Sequence, residues 1–368
     1  MPKKQELTVE GRKVPVSNLD KVLYPAAHFT KGQVIDYYIR VSEFMLPHLK
    51  GRPVTLKRFP NGVGGDFFYE KDAPKFTPDW IRTYPVPRRD GGHKDIHYVV
   101  VDDLPTLVWL ANLANLEIHP FLHRVPHLER PTSIVFDFDP GEGVDVLDCA
   151  RVAFLVRDLL GELGLKVFAK VSGSKGLQIY VPLNVPTATY DVTQAFAKTV
   201  AELIEERHPD IVVSKMTKAR RADKVFIDWS KNSDFKTTVG VYSLRAKAPQ
   251  PYVSQPLEWE ELEAAVKAND RDRLYFKPDA ALKRLGKRGD LFEPVRSLRQ
   301  KATKGIRAPN QSNQRHDGAI YTDLACGIPS KAGLHENKRA LTGARTTKPA
   351  KKRAPICNSE ACRQSPPL

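Results

Sequence analysis

The segment IVFDFDP, residues 134–140, constrains the fold more than any other part of the sequence. Its apolar, β-prone residues predict a buried strand that ends at its proline, since proline cannot continue the hydrogen-bond ladder of a sheet. Side chains alternate between the two faces of a strand, so Asp137 and Asp139 share the face opposite Phe136 and Phe138. Two carboxylates on one buried face repel each other and resist loss of water. The pattern predicts a divalent cation held by oxygen ligands; the alternative is a strand end whose acids face water.

Asp228 is a third acid at the end of an apolar, β-prone segment. Val225, Ile227 and Trp229 share one face of this predicted strand, and Asp228 points to the other side. Five lysines and arginines precede it in KMTKARRADK, residues 215–224. This cluster of positive charge is typical of a binding site for a polyanion.

Composition argues against a membrane span, a signal peptide and a disulfide framework. The chain has no apolar run of about 18 residues, its N-terminus MPKKQELTVEGRK has no apolar segment, and only Cys149 of its four cysteines precedes residue 326. We therefore expect a cytoplasmic protein with no membrane partner. Of the formal net charge of +15, residues 299–368 carry +10. This proline-bearing segment is predicted to be a disordered tail that either binds polyanions without reading sequence or is only solvated.

Two lysines near the N-terminus form a candidate anion site. Thr30 and Gln33 make a capping-box pattern before an amphipathic run, which places Lys31 in the first turn of a predicted helix. Free N–H groups in such a turn favour an anion, and Lys21 lies just upstream. The pair could hold a phosphate, although two surface lysines are more often only solvated.

Residues 51–70, GRPVTLKRFPNGVGGDFFYE, combine basic and aromatic side chains. Lys57 and Arg58 follow a short predicted strand, and a tight turn then leads to Phe67 and Phe68. Interleaved basic and aromatic residues suit single-stranded nucleic acid, where bases stack and phosphates pair with cations. The alternative is an ordinary hairpin with a half-buried phenylalanine.

The SGSKG segment, residues 172–176, is predicted to be a turn between strands at 166–171 and 177–181. It is not a P-loop, because the GxxxxGK[ST] spacing is absent and a strand follows it. Its N–H groups can still surround phosphate oxygens, although many hairpin turns have a similar composition. Further patterns predict helices at 104–116, 144–163 and 189–207, and a strand at 242–245.

Together these segments resemble the polymerase domain of bacterial ligase D, the end-joining member of the archaeo-eukaryotic primase superfamily. The matching motifs are NLDKVLYP, LKRFPNGV, IHP, VFDFDPGEG, SGSKGL, MTKARRADKVFIDW and YSLRA, in family order over about residues 8–295. The resemblance implies an α+β fold: a primase-type core with an RRM-like antiparallel sheet and flanking helices, plus an N-terminal α/β module. The expected domain covers residues 1–298, with the module at about 1–130, the core at about 131–298, and the basic tail at 299–368.

The resemblance further implies a template-dependent nucleotidyltransferase that fills or extends DNA ends during bacterial non-homologous end joining. Asp137, Asp139 and Asp228 match the family's catalytic, metal-binding acids, which implies two Mn²⁺ or Mg²⁺ ions that activate the primer 3′-hydroxyl and neutralise the triphosphate of an NTP or dNTP. The residues that match nucleotide-binding positions are Lys57, His119, Ser172, Gly173, Ser174, Lys175, Gln178 and Arg245. The residues that match DNA 5′-phosphate and template-binding positions are Asn18, Lys21, Lys31, Arg58, Phe67, Phe68 and Arg220.

Gln178 departs from the family pattern, which usually has at this place a histidine that contacts the triphosphate. Glutamine can donate a hydrogen bond but carries no charge, so weaker nucleotide binding or turnover is expected. The alternative function is therefore a weakly active or inactive DNA-end-binding module that supports a separate ligase. Because no KxDG adenylation motif is present, the expected partners are gapped or overhang DNA with a 5′-phosphate, a separate ATP-dependent DNA ligase and a Ku-like end-binding protein, in a nucleoid-associated location.

Overall fold

The computed structural model describes residues 4–89 and 94–301, which contain two larger sheets, three two-stranded ribbons and seven α-helices. The strands, β1 to β17 in chain order, are Lys4–Val9, Arg12–Ser17, Val22–Tyr24, Phe29–Thr30, Pro53–Arg58, Phe68–Glu70, Thr83–Val86, Ile96–Val100, Asn115–Pro120, His123–Arg124, His127–Pro131, Ser133–Pro140, Phe168–Val171, Leu177–Pro182, Val212–Val213, Val225–Asp228 and Pro256–Leu257. The helices, α1 to α7, are Lys31–Leu49, Leu104–Asn112, Val146–Glu162, Tyr190–Arg207, Trp259–Ala268, Pro278–Arg288 and Glu293–Ser297. None of these helices is both long and apolar enough to cross a membrane. The predicted basic tail lies outside the described residues, apart from residues 299–301.

The six-stranded sheet is built around β12, the strand that carries Asp137 and Asp139. Its strand order is β15-β16-β12-β14-β13-β17, and all neighbours pair antiparallel except β15 and β16. If β12, β13, β14 and β16 are counted as 1 to 4, they lie in the order 4-1-3-2, with α3 after the first and α4 after the third. This is the RRM-like arrangement, so the predicted α+β fold with antiparallel sheets is confirmed.

Helices α3 and α4 contact β12 and help to cover one face of this sheet. Ile134, Phe136 and Phe138 are completely buried in the core that these helices share with the sheet. Asp137 and Asp139 lie on the opposite face, because side chains alternate along a strand. The alternation predicted for residues 134–140 is therefore confirmed, and it frees one sheet face for polar side chains.

The second sheet brings together strands β5 and β9, which carry basic and acidic residues at matching positions. β5 pairs antiparallel with β6, β8 and β9, and Lys57 of β5 lies opposite Glu117 of β9. Helix α1 begins after Thr30, whose side chain accepts from the amide of Gln33 while the Gln33 side chain accepts from the amide of Thr30. The predicted capping box and the helix that follows it are confirmed.

The helix predicted at 104–116 is too long, because it ends at Asn112 and β9 begins three residues later. An apolar buried helix and an apolar buried strand cannot be distinguished by their hydrophobic pattern over a few residues. Residues 115–120 form a strand because they pair with β5 through backbone hydrogen bonds.

The strand predicted at 242–245 is reduced to a single antiparallel bridge between Leu244 and Val253, which follows a turn where Tyr242 adopts a left-handed conformation with φ 64°. The hydroxyl groups of Tyr37 and Tyr24 donate to the carbonyl oxygens of Tyr242 and Arg245, at 2.7 and 2.9 Å. These long-range side-chain donors, together with the backbone hydrogen bonds to residues 252–254, fix the backbone that carries Arg245.

Candidate active site

The predicted metal-binding acids meet on adjoining strands of the six-stranded sheet. Asp137 of β12 lies directly opposite Asp228 of β16, and Asp139 is two residues further along β12 on the same face. Asp137 and Asp228 are each 8% exposed, whereas Asp139 stands at the exposed end of its strand. Strand register therefore concentrates three acids on one face of the sheet.

Each of the two buried carboxylates uses one oxygen for a protein donor and directs the other at a lysine. Asp137 Oδ1 accepts from Gln178 Nε2 at 3.0 Å, and Asp228 Oδ1 accepts from the amide of Ser230 at 3.1 Å. Lys231 Nζ lies 3.5 Å from Asp137 Oδ2 and 3.6 Å from Asp228 Oδ2. Burial lowers the pKa of Lys231, but the nearby aspartates outweigh it and raise that pKa above its ordinary value.

Asp139 has no hydrogen bond or ion pair from its side chain to another described residue. Partial burial of the carboxylate and the negative charge of Asp137 raise the pKa of Asp139 to about 6. Within residues 4–89 and 94–301, no group of three His, Cys, Asp or Glu side chains has the spacing of a metal site in its present side-chain positions. The acids are close together, but Lys231 lies between two of them.

Gln178 is buried, and its side chain is directed at Asp137. The two residues are neighbours in the register of β12 and β14, and the hydroxyl of Tyr180 lies 3.5 Å from Gln178 Oε1. Lys170 of β13 follows in the same cross-strand row, completely buried, with its Nζ donating to Ser254 Oγ at 2.7 Å. In the structure, the Gln178 side chain therefore contacts the Asp137 carboxylate. The sequence predicted that it contacts a triphosphate.

Gln178→Leu is expected to lower the free energy of unfolding of the metal-free protein by about 1–3 kcal/mol, because the buried Asp137 carboxylate loses a hydrogen-bond donor. Urea unfolding measures this effect. Gln255→Leu is the matched control, because Gln255 is equally buried and its side-chain oxygen has no hydrogen-bond partner among the described residues. Unchanged stability in Gln178→Leu would show that the contact with Asp137 is unimportant.

Glu117 is a completely buried acid that the sequence analysis missed, and it joins three predicted nucleotide-binding residues. Lys57 Nζ lies 3.2 Å from its Oε1, while His119 Nε2 and Arg245 Nη1 lie 2.8 and 3.7 Å from its Oε2. The amide of Ala246 also donates to Oε1, at 3.0 Å. Glu117 shares a strand face with His119, two residues away, and this spacing is the only signal that the sequence offers.

The electrostatics of this cluster leave an excess of positive charge. Burial raises the pKa of Glu117, but the hydrogen bond from His119 and the charge of Arg245 outweigh burial and hold that pKa well below its usual range. Burial lowers the pKa of His119, so at neutral pH it is uncharged. Lys57 and Arg245 therefore face a single carboxylate. Within the described residues Arg245 Nε has no hydrogen-bond partner, which leaves a donor of the cluster unused.

The turn at 172–176 uses several of its own N–H groups internally. The amides of Ser174 and Gly176 donate to Ser172 Oγ at 3.2 and 3.3 Å, and the amide of Ser172 donates to the carbonyl of Gly176. Those three N–H groups therefore already have acceptors within the turn, and phosphate binding by the turn stays a prediction. The side chain of Lys175 is exposed at the tip of the turn.

Two glycines allow this turn to pack between the cationic cluster and the acidic strand. Gly173 has φ +69°, and a Cβ there would lie 2.7 Å from Arg245 Cγ. A Cβ on Gly176 would lie 2.2 Å from the carbonyl oxygen of Phe138. The missing side chains let the turn pack against both Arg245 and the end of β12.

Phe67 and Phe68 are both about half exposed, at 50% and 43%, and each is associated with a different cation. Phe67 stacks on Phe59, and Lys57 Nζ lies 4.5 Å from the centre of its ring. Phe68 packs against the guanidinium of Arg58, 5.1 Å from its ring centre. Phe67 thus belongs to the cationic cluster, and Phe68 belongs to the other face of β5.

The amides at the start of α1 are engaged, which contradicts the expectation of free N–H groups there. The amides of Lys31 and Gly32 donate to the carbonyls of Lys21 and Leu19, both at 2.8 Å. Burial, together with the positive charge of Lys21, lowers the pKa of Lys31 to about 8. An anion site here would therefore depend on the two ammonium groups and not on the helix terminus.

Asn18 and Arg220 occupy exposed turns. Asn18 has φ 53°, and its carbonyl accepts from the amide of Lys21 at 3.0 Å, which shapes the loop before α1. Arg220 lies in the 3-10 turn Lys218–Arg220, and no hydrogen bond or ion pair joins its side chain to another described residue. The structure therefore links Asn18 to the lysine pair and leaves Arg220 free on the surface.

Residues 30–292 match the family described as "LigD, primase-polymerase domain". The chain is 42% identical over 292 residues to the multifunctional non-homologous end joining DNA repair protein LigD of Mycobacterium tuberculosis, an alignment that covers 77% of this chain and 37% of that protein. It is 32% identical over 281 residues to the bifunctional LigD of Bacillus subtilis, which covers 76% of this chain and 44% of that protein. The chain therefore spans less than half the length of these relatives.

A solved structure has the same fold. The polymerase domain from Mycobacterium tuberculosis ligase D in complex with DNA superposes with a TM-score of 0.70 and 41% sequence identity, over 77% of this chain and 98% of that one. The match covers nearly the whole of that polymerase domain.

Proposed function

Because this chain belongs to the LigD primase-polymerase domain family, we propose that it is a template-dependent nucleotidyltransferase that fills or extends DNA ends in non-homologous end joining. The observation that carries the proposal is the position of the turn at 172–176, which packs between the acid-bearing end of β12 and the cationic cluster of Lys57 and Arg245. A polymerase needs such a pair of sites next to each other, one for metal ions and one for a triphosphate.

Asp137, Asp139 and Asp228 would hold Mn²⁺ or Mg²⁺. Carboxylate oxygens are the ligands that these ions prefer, and Oδ2 of Asp137 and Oδ2 of Asp228 already converge on one cation, Lys231. When bound, two such ions would lower the pKa of the primer 3′-hydroxyl and stabilise the negative charge that develops on the triphosphate. The protein contributes by holding the acids in place: Gln178 donates a hydrogen bond to Asp137, and Ser230 donates one to Asp228.

The cationic cluster would bind the triphosphate of an NTP or dNTP. The two positive charges of Lys57 and Arg245 exceed the single negative charge of Glu117. An incoming polyphosphate would neutralise the remaining positive charge. The adjoining turn contributes Ser172, Ser174 and Lys175. His119 is uncharged beside Glu117 and would form a hydrogen bond with the nucleotide. Gly173 permits the close approach of this turn to Arg245.

The DNA would be held mainly by residues that precede residue 70. Lys21 and Lys31, with Asn18, would bind a 5′-phosphate at a gap or overhang, and Phe67 or Phe68 with Arg58 and Arg220 would contact the template. The expected partners, a separate ATP-dependent DNA ligase and a Ku-like protein, and a location at the nucleoid are part of the same proposal.

Primer extension on a gapped duplex with a 5′-phosphate tests this function. Extension that depends on Mn²⁺ or Mg²⁺ and on the template base, with each NTP and dNTP supplied in turn, is the expected result. No extension by the wild-type protein, with tight binding to the DNA end retained, would contradict it. That outcome would favour the second candidate, an inactive end-binding module, for which the position of Lys231 between two of the acids is the structural argument.

The affinity for a 5′-phosphorylated end is expected to fall by roughly tenfold between pH 7 and 9, since one charge-assisted hydrogen bond contributes about 1.5–3 kcal/mol. The pKa of Lys31 is about 8, so its ammonium is charged below that pH and neutral above it.

Because this pKa is lowered in the folded protein, the unfolded chain binds more protons between about pH 8 and 10.5, and the Lys31 contribution to stability rises with pH across that window.

Fluorescence anisotropy with a gapped duplex at fixed ionic strength measures this effect. Lys31→Arg, whose guanidinium stays charged, should abolish the pH dependence. The assignment is wrong if the same fall is seen with a 5′-hydroxyl end or in the Lys31→Arg protein.

A further inference from the structure

Lys231 lies inside the acidic site, and the proposed function gives it no role. It is the last residue of the 3-10 turn Trp229–Lys231, which starts directly after Asp228. Its side chain is only 26% exposed, and its Nζ is within 3.6 Å of one oxygen of Asp137 and one of Asp228. A lysine on the protein surface would have its ammonium in water, whereas this one is held between two carboxylates.

The carboxylate oxygens that face Lys231 are those that protein donors leave unused. Asp137 Oδ1 and Asp228 Oδ1 accept from Gln178 and Ser230, so on each acid Oδ2 is the oxygen that no neutral donor occupies. Both Oδ2 atoms point to the same ammonium. A divalent ion held by Asp137 and Asp228 would compete with the Lys231 ammonium for these two oxygens.

We infer that Lys231 is a built-in cation of the acidic site, which holds Asp137 and Asp228 together without metal and must be displaced from their Oδ2 oxygens when a divalent ion binds. The inference rests on the proposed metal-dependent function and adds a positioning residue that sets the metal affinity. A lysine suits this role because its ammonium is a single point charge on a flexible stem, so it can leave without breaking a bidentate contact.

Two consequences follow from competition between the ammonium and the metal. The metal-free site is stabilised, because two buried carboxylates that face each other are compensated by one positive charge. Metal binding is weakened, because the ion must first break both contacts of Lys231. Removal of the charge should therefore destabilise the metal-free protein and tighten metal binding, two effects in opposite directions that a merely structural lysine would not produce.

The test is Mn²⁺ binding to the full chain, measured by the electron paramagnetic resonance signal of free Mn²⁺ without nucleotide or DNA at constant ionic strength. Lys231→Gln and Lys231→Met are expected to bind Mn²⁺ at least tenfold more tightly than the wild type. Lys231→Arg, which keeps the charge, should stay within about threefold of the wild type. Lys198→Gln is the matched control, because Lys198 lies over the Trp229 ring on the neighbouring helix and touches none of the three acids.

Thermal unfolding supplies the second measurement. Lys231→Gln should unfold at a lower temperature than the wild type without metal, and saturating Mn²⁺ should raise its unfolding temperature by more. If the wild type binds Mn²⁺ and the neutral variants bind it equally or more weakly, or if Lys231→Arg binds as tightly as Lys231→Gln, the inference is overturned while the proposed function stands. If neither the wild type nor the variants bind Mn²⁺, the metal-dependent function itself fails.

Discussion

Asp139→Ala is expected to reduce primer extension by about 1000-fold or more, while binding to a 5′-phosphorylated DNA end is unchanged. A metal ligand contributes several kcal/mol of charge stabilisation, and each 1.4 kcal/mol or so corresponds to a factor of ten in rate. Asp139 is the best of the three acids to replace, because its side chain makes no hydrogen bond or ion pair with another described residue. Replacing Asp137 or Asp228 would also remove a contact of Lys231 and confuse the result.

Glu142→Ala is the matched control, since it removes the same charge three residues later on an exposed turn. Single-turnover extension on a gapped duplex and anisotropy on the same DNA are the two measurements. Normal extension by Asp139→Ala would contradict the metal assignment. Loss of DNA binding as well would indicate that the substitution had disturbed the fold instead.

Glu117→Gln is expected to lower the free energy of unfolding by about 3–5 kcal/mol, the usual cost of removing one partner from a buried ion pair. Lys57 and Arg245 are 2% and 6% exposed, so neither can turn to water when the carboxylate is gone. The positions of both cations would change, so nucleotide binding should be lost together with stability. Urea unfolding and titration with a nucleoside triphosphate measure the two effects.

The loss of stability caused by Glu117→Gln should also become smaller at low pH. Its pKa is well below the ordinary value in the folded protein, so its contribution to stability is full above about pH 4.5 and is lost as the pH falls. The difference between wild type and Glu117→Gln should thus be constant from pH 8 to about 5 and narrow below that. Glu70→Gln is the control, because the Glu70 pair with Arg58 is partly exposed and should cost no more than about 1 kcal/mol. Equal effects of the two substitutions would argue against a central role for Glu117.

The sequence by itself determined the local structure and the family. Alternation along residues 134–140 placed Asp137 and Asp139 on one face, and the Thr30 and Gln33 capping box placed the start of α1. Both depend only on neighbours within a few residues, where strand and helix periodicity apply. The ordered motifs likewise identified the fold, because they record a family pattern over most of the chain.

Only the tertiary structure decided which side chains meet. Glu117 joins Lys57, 60 residues earlier, to the amide of Ala246, 129 residues later, and Gln178 reaches Asp137 across 41 residues. Such contacts depend on strand register and on the order of strands in the sheets, which no local pattern contains. The same reason explains why the sequence predicted a metal between Asp137 and Asp228, while the folded chain places there the ammonium of its own Lys231.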